Sequence, residues 1–136
     1  MLNILIVEDN EGDVLLMKEA LRESGIEFHL KHLADGEQAL AYLSAGNETS
    51  EAIPDLVLLD LNLPKRDGWE VLQILRQSPH LGRTPVVILS SSNAPEDRDR
   101  AAGIASLIYI RKPSNLQDLF AIGKRIEDFW LACQPA

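Results

Sequence analysis

The sequence predicts an α/β domain in which a parallel sheet is covered on both faces by helices. Two observations carry this. Apolar strand-like runs and amphipathic helix-like runs alternate about five times, with short connections. Several of the apolar runs are almost unbroken Val, Ile and Leu, as strands buried on both faces require. A chain of 136 residues fits one domain with one core, so residues 1–136 are read as a single domain without linker, repeat or second unit.

Ile4-Leu5-Ile6-Val7 is the first strand and ends in Glu8-Asp9. Asn10 suits the N-cap of the next helix, and Asp13 puts negative charge in its first turn. Val14, Met17 and Leu21 keep helical spacing until Ser24-Gly25 stops the run. Glu27 to Leu33 alternates, with Phe28 and Leu30 on one face, and reads as a second strand nearer a sheet edge. Asp35-Gly36 is a turn, Glu37 to Leu43 a short helix, and Gly46 to Pro54 a polar loop. The third strand, Leu56-Val57-Leu58-Leu59-Asp60, is the most apolar stretch and ends in a carboxylate, with Pro64 shortly after. Gly68 to Gln77 is a helix with Val71, Leu72 and Leu75 inward, ended by Ser78-Pro79. Thr84 to Leu89 is a fourth buried strand and runs into Ser90-Ser91-Ser92. Asn93-Ala94-Pro95 opens an unusually charged helix, Glu96 to Ala102, and Gly103 ends it. Leu107 to Ile110 is the fifth strand, followed by Arg111-Lys112-Pro113, and Asn115 to about Ala132 is the last and longest helix.

Composition excludes several classes of function. The formal net charge of -8 argues against nucleic-acid binding and against attraction to anionic lipid. No apolar run reaches the ~20 residues of a membrane helix, and the N-terminus enters a strand without a basic leader. A single cysteine, Cys133, fits a reducing cytoplasm. The eight glycines form no dinucleotide or phosphate-loop fingerprint. His29, His32 and His80 show no metal-ligand spacing and read as surface residues.

Polar groups gather at the carboxyl ends of the strands, where open α/β sheets place their ligands. In the flavodoxin-like order 2-1-3-4-5, Glu8, Asp9, Asp60, Ser90 and Lys112 converge on one crevice. Three carboxylates together call for a cation, and hard oxygen ligands suit Mg²⁺. Asp60 could then attack phosphorus and form an aspartyl phosphate. Lys112 would neutralise a phosphoryl oxygen, and the Ser90 hydroxyl would donate to another. Lys112-Pro113 is a candidate cis peptide that would aim the ammonium inward.

The segments Ile4–Asn10, Leu58–Pro64 with Asp67-Gly68, Val86–Ser90 and Tyr109–Pro113 resemble the receiver domain of two-component response regulators, the CheY-like fold. The resemblance implies that Asp60 accepts a phosphoryl group from a sensor histidine kinase. It implies Mg²⁺ on Asp9, Asp60 and the backbone carbonyl of Asn62, with Glu8 acting largely through water. Ser90 takes the position of the switch hydroxyl, Lys112 that of the family's lysine, and Tyr109 that of the aromatic whose rotation reports activation. Asn62 and Ser92 stand where the family tunes dephosphorylation. The family more often has two Asp where Glu8-Asp9 stand here. Glu8–Val14, Ser90–Asn93 and Asp128–Leu131 are similar to the single-domain regulators partnered with cyanobacterial phytochromes, which often have proline at the position of Glu11. That subgroup implies a phytochrome kinase and a receiver without its own output domain.

In the last helix, Leu119, Ile122 and Ile126 can face the sheet. Phe120, Phe129, Trp130 and Leu131 exceed one inward stripe, and either cap the core or form a dimer or partner surface. The resemblance places a homodimer on the fourth helix, fifth strand and last helix. The alternatives are a pseudo-receiver interaction module and a phosphohydrolase. Intact Asp60 and Lys112 weigh against the first. Asn62, where a hydrolase would carry its acid, weighs against the second.

Overall fold

The computed structural model describes residues 1–45, 53–64, 67–78, 81–91 and 94–134. Five strands, β1 (Leu2–Val7), β2 (Phe28–Leu33), β3 (Leu56–Asp60), β4 (Val86–Ser90) and β5 (Leu107–Arg111), alternate with five helices. These are α1 (Glu11–Glu23), α2 (Gly36–Ala45), α3 (Gly68–Gln77), α4 (Pro95–Ala102) and α5 (Leu116–Ala132). All strand pairs are parallel, in the order β2-β1-β3-β4-β5. The predicted elements are all present, with bounds shifted by a residue or two. The loop expected at Gly46 to Pro54 lies mostly outside the described residues.

Every residue of β3 and β4 is buried, which is why their sequences carry no polar face. β2 is mostly half-buried and is an edge strand, as its alternation predicts. Side chains of the sheet alternate between two cores. Ile4, Ile6, Leu58 and Leu89 pack with Val14, Met17 and Leu21 of α1 and Ile122 and Ile126 of α5. Leu5, Val7, Leu59 and Ile88 pack with Ala39 of α2, Val71, Leu72 and Leu75 of α3, and Ala101 of α4.

Two contacts fix this arrangement at close range. Gly123 of α5 faces Ala20 of α1, and a Cβ at Gly123 would lie 2.2 Å from the Ala20 carbonyl oxygen. At the other end of the sheet from the strand carboxyl ends, Arg76 of α3 gathers four loop carbonyls. It donates to Thr84 at 2.6 Å, to Ala105 and Ser106 at 3.0 Å each, and to Gly82 at 3.4 Å. One guanidinium thus ties the chain entering β4 to the chain entering β5.

Because the Gly123 contact is with backbone, Gly123→Ala must push α5 off α1. Overpacking of this kind costs ~1–3 kcal/mol. Urea unfolding followed by circular dichroism should show that loss as a lower midpoint with an unchanged slope.

Candidate functional site

Parallel pairing brings the carboxyl ends of β1, β3, β4 and β5 to one edge, and the polar residues just beyond them meet there. Glu8 and Asp60 are only 2% and 4% exposed, while Asp9 is exposed. One carboxylate oxygen from each of the three lies within 4.8 Å of the others. This compact set of hard oxygen donors fits a divalent cation. Local bonds orient it. The Asn62 amide donates to Asp60 Oδ1 at 3.0 Å, and the Asn10 amide to Glu8 Oε2 at 3.3 Å.

Lys112 enters the crevice from the end of β5. Its backbone amide donates to the Ser90 carbonyl at 2.7 Å, which carries the strand pairing one residue past β5. Its ammonium donates to Glu8 Oε1 at 2.6 Å, Asp13 Oδ2 at 2.9 Å and Asp60 Oδ2 at 3.3 Å. Burial, together with the hydrogen bond and charge of Asp60, raises the Glu8 pKa to about 8, despite Lys112. Burial also works against the charged form of Lys112, but Glu8, Asp13 and Asp60 outweigh it and raise its pKa above the ordinary lysine value. Glu8 thus holds its proton more tightly chiefly because it is buried, and Lys112 because three carboxylates surround it.

The sequence profile of the response regulator receiver domain matches residues 4–124. The chain belongs to that family. Over 129 residues it is 43% identical to the response regulator Rcp1 of Synechocystis sp., covering 94% of this chain and 88% of Rcp1. The phosphorylated cyanobacterial phytochrome response regulator RcpA superposes with a TM-score of 0.83 at 43% identity, over 98% of this chain and 96% of RcpA. The Mn²⁺-bound form of Rcp1 superposes with a TM-score of 0.82 at 41% identity, over 100% of each chain.

Within the receiver, the remaining predicted residues fall into three places. Ser90 is fully buried at the end of β4, opposite Arg111 in the sheet register. Tyr109 is half-buried on β5, packed against the α2–α4 side of the core, with the Arg98 guanidinium 5.8 Å from its ring centre. Asn62 is exposed beside Asp60, and Ser92 lies outside the described residues. The Lys112-Pro113 peptide is not cis, since no cis bond occurs among the described residues. The long lysine stem reaches all three carboxylates from the ordinary trans bond, which X–Pro pairs favour.

The apolar group on α5 divides. Phe129 and Trp130 pack against the sheet core, so they act as its cap, and the buried Trp130 indole N–H has no hydrogen-bond partner among the described residues. Phe120 and Leu131 are 44% and 56% exposed. Among the described residues, no helix is long and apolar enough to cross a membrane.

Three participants are not evident from sequence. Asp13 is legible there only as a helix-start charge, though its distance from Glu8-Asp9 allows one turn of α1 to bring it back over the strand ends. His32, expected at the surface, is half-buried with Nε2 2.7 Å from the Glu8 carbonyl oxygen. It therefore braces the strand end rather than a metal. The third is Asp97 of α4, which accepts from the Trp69 indole at 3.2 Å while the Arg100 guanidinium sits 4.5 Å from a Trp69 ring centre. These contacts hold a helix whose only buried residue is Ala101.

Asp97→Ala should strand the Trp69 indole N–H and loosen α4 ahead of global unfolding. A buried donor left unpaired costs ~1–3 kcal/mol. Hydrogen exchange should show faster amide exchange in α4, with β3 and β4 little changed.

Proposed function

We propose that the chain is a single-domain response regulator that accepts a phosphoryl group on Asp60 from a sensor histidine kinase. The observation that supports this best is the Glu8–Asp9–Asp60 cluster with the Lys112 ammonium hydrogen-bonded to its two buried members. An Asp60 oxygen attacks phosphorus, the phosphorus–nitrogen bond of the donor's phosphohistidine breaks, and the imidazole leaves with the electron pair. Lys112 turns from Asp60 toward the incoming phosphoryl oxygens, and the Asn62 amide holds the acceptor carboxylate in place. Glu8, Asp9 and Asp60, with the Asn62 carbonyl, would hold Mg²⁺, which supplies charge neutralisation for the transferred group.

Ser90 and Tyr109 lie on the neighbouring strands β4 and β5, so a movement of the Ser90 hydroxyl toward the phosphoryl group has a short path to the α4 surface. The output is read by a partner or a second copy on α4, β5 and α5. A phytochrome is the favoured kinase because RcpA, 43% identical, is a cyanobacterial phytochrome response regulator, and the protein works in the cytoplasm. Neither nucleic acid nor membrane is a partner.

The test is phosphotransfer from an autophosphorylated phytochrome kinase carrying labelled phosphate. The wild-type chain should be labelled in MgCl₂ and not in excess EDTA, and Asp60→Asn should stay unlabelled. Label retained on Asp60→Asn would falsify the assignment of the acceptor. Failure with the phytochrome kinase but labelling by other histidine kinases would reject only the light-sensing partner.

A further inference from the structure

We infer that Asp13 is a positioning residue for phosphoryl transfer: from the first turn of α1 it holds the Lys112 ammonium over the acceptor. This rests on the reading of Asp60 as phosphoacceptor and adds a residue to its machinery.

The placement is local in origin. Asn10 caps α1 by accepting from the Asp13 amide at 3.1 Å, which fixes Asp13 as the third residue of the helix. Side chains in helices lean back toward the N-terminus, so Asp13 is aimed at the strand ends that precede it. There its Oδ2 meets Lys112 Nζ at 2.9 Å. The pair shares a small cleft, about 40 Å³ in volume, whose apolar walls include Leu16, Met17, Pro113 and Leu119. Such walls strengthen a charge-assisted hydrogen bond relative to one in open water.

The chemistry of the three partners then separates them. An ammonium has three N–H donors, and here they reach three carboxylates. Two of these, Glu8 and Asp60, belong to the cluster that can hold a cation, and Asp60 is also the acceptor. Asp13 does not belong to that cluster. It is the one partner that stays available to Lys112 while the other two are engaged. A lysine has a flexible four-carbon stem and a point charge, so its reach alone does not set where the ammonium sits. Asp13 supplies the missing constraint, leaving two donors to turn toward the phosphoryl oxygens.

A structural role at the helix start is the competing explanation, because an acid in the first turn also favours the helix. A double-mutant cycle separates the two. The experiment measures the rate of phosphorylation by phosphoramidate in MgCl₂ for wild type, Asp13→Asn, Asp13→Ala, Asp13→Glu, Lys112→Met and Asp13→Ala with Lys112→Met. Supporting groups around a metal centre typically contribute ~10-fold or more to activity. Asp13→Ala should therefore slow the reaction by about 10-fold. Asp13→Asn should also slow it, and Asp13→Glu should recover most of the rate. The Asp13→Ala change should have no further effect once Lys112 is Met.

The Lys112 side-chain ammonium gives a second readout that needs no turnover. Its nitrogen resonance in ¹⁵N-lysine-labelled protein should be observable in wild type and Asp13→Glu, and broadened by faster proton exchange in Asp13→Ala. Equal rates in wild type and Asp13→Ala, or the same loss with and without Lys112, overturn the inference and leave the acceptor reading intact. A wild-type chain that takes up no phosphoryl group, or an Asp60→Asn chain that does, overturns both.

Discussion

A single ammonium holds together carboxylates that would otherwise force one another apart. Glu8 and Asp60 are almost fully buried, and two such groups a few ångströms apart are eased by a proton held on Glu8, whose pKa is raised to about 8, and by a counter-charge between them. Lys112 provides it from the end of β5, two strands away from β3 in the sheet. The reach is possible because parallel strands deliver all their carboxyl ends to one edge. It is held because the Lys112 backbone stays paired to β4 through the Ser90 carbonyl. The sheet order and the site are therefore one constraint. Exchanging two strands would leave the same residues in the chain and no crevice.

The fold was legible because its core strands are buried on both faces. β3 and β4 are buried over their whole length, so their sequences are continuous apolar runs up to one polar residue at the carboxyl end, and that residue is conspicuous. That logic found Glu8, Asp9, Asp60, Ser90 and Lys112. It could not find Asp13, whose direction depends on how α1 is rotated by its cap and its packing on α5. Nor could it pair Trp69 with Asp97, since that contact joins two helices across 28 residues of sequence. The trans Lys112-Pro113 bond and the packing of the half-buried Phe129 and Trp130 on the core escaped it for a related reason. A proline permits cis without requiring it, and an apolar excess on a helix does not say whether the sheet's end leaves space to absorb it.

The two faces of the sheet are held differently. On one, α1 and α5 approach so closely that Gly123 admits no Cβ, and their apolar stripes interlock. On the other, α4 contributes Ala101 to the core and otherwise leans on Trp69 and Tyr109 through a hydrogen bond and two cation–π contacts. Contacts of that kind contribute ~1 kcal/mol each where exposed. Elements with few buried apolar contacts open at lower free energy than the core. A population shift is therefore cheapest at α4, and Tyr109 joins that helix to the strand beside Ser90.

Burial is the main cause that raises the Glu8 pKa, whereas Lys112 moves upward only through the hydrogen bonds and charges of Glu8, Asp13 and Asp60. Burial alone would push a lysine down. A positive ligand would add to the counter-charge of the crevice, and a phosphoryl group, arriving with its own negative oxygens, would call for more of it. In the proposed transfer to Asp60 a cation would offset the added negative charge, because Lys112 by itself already serves three carboxylates.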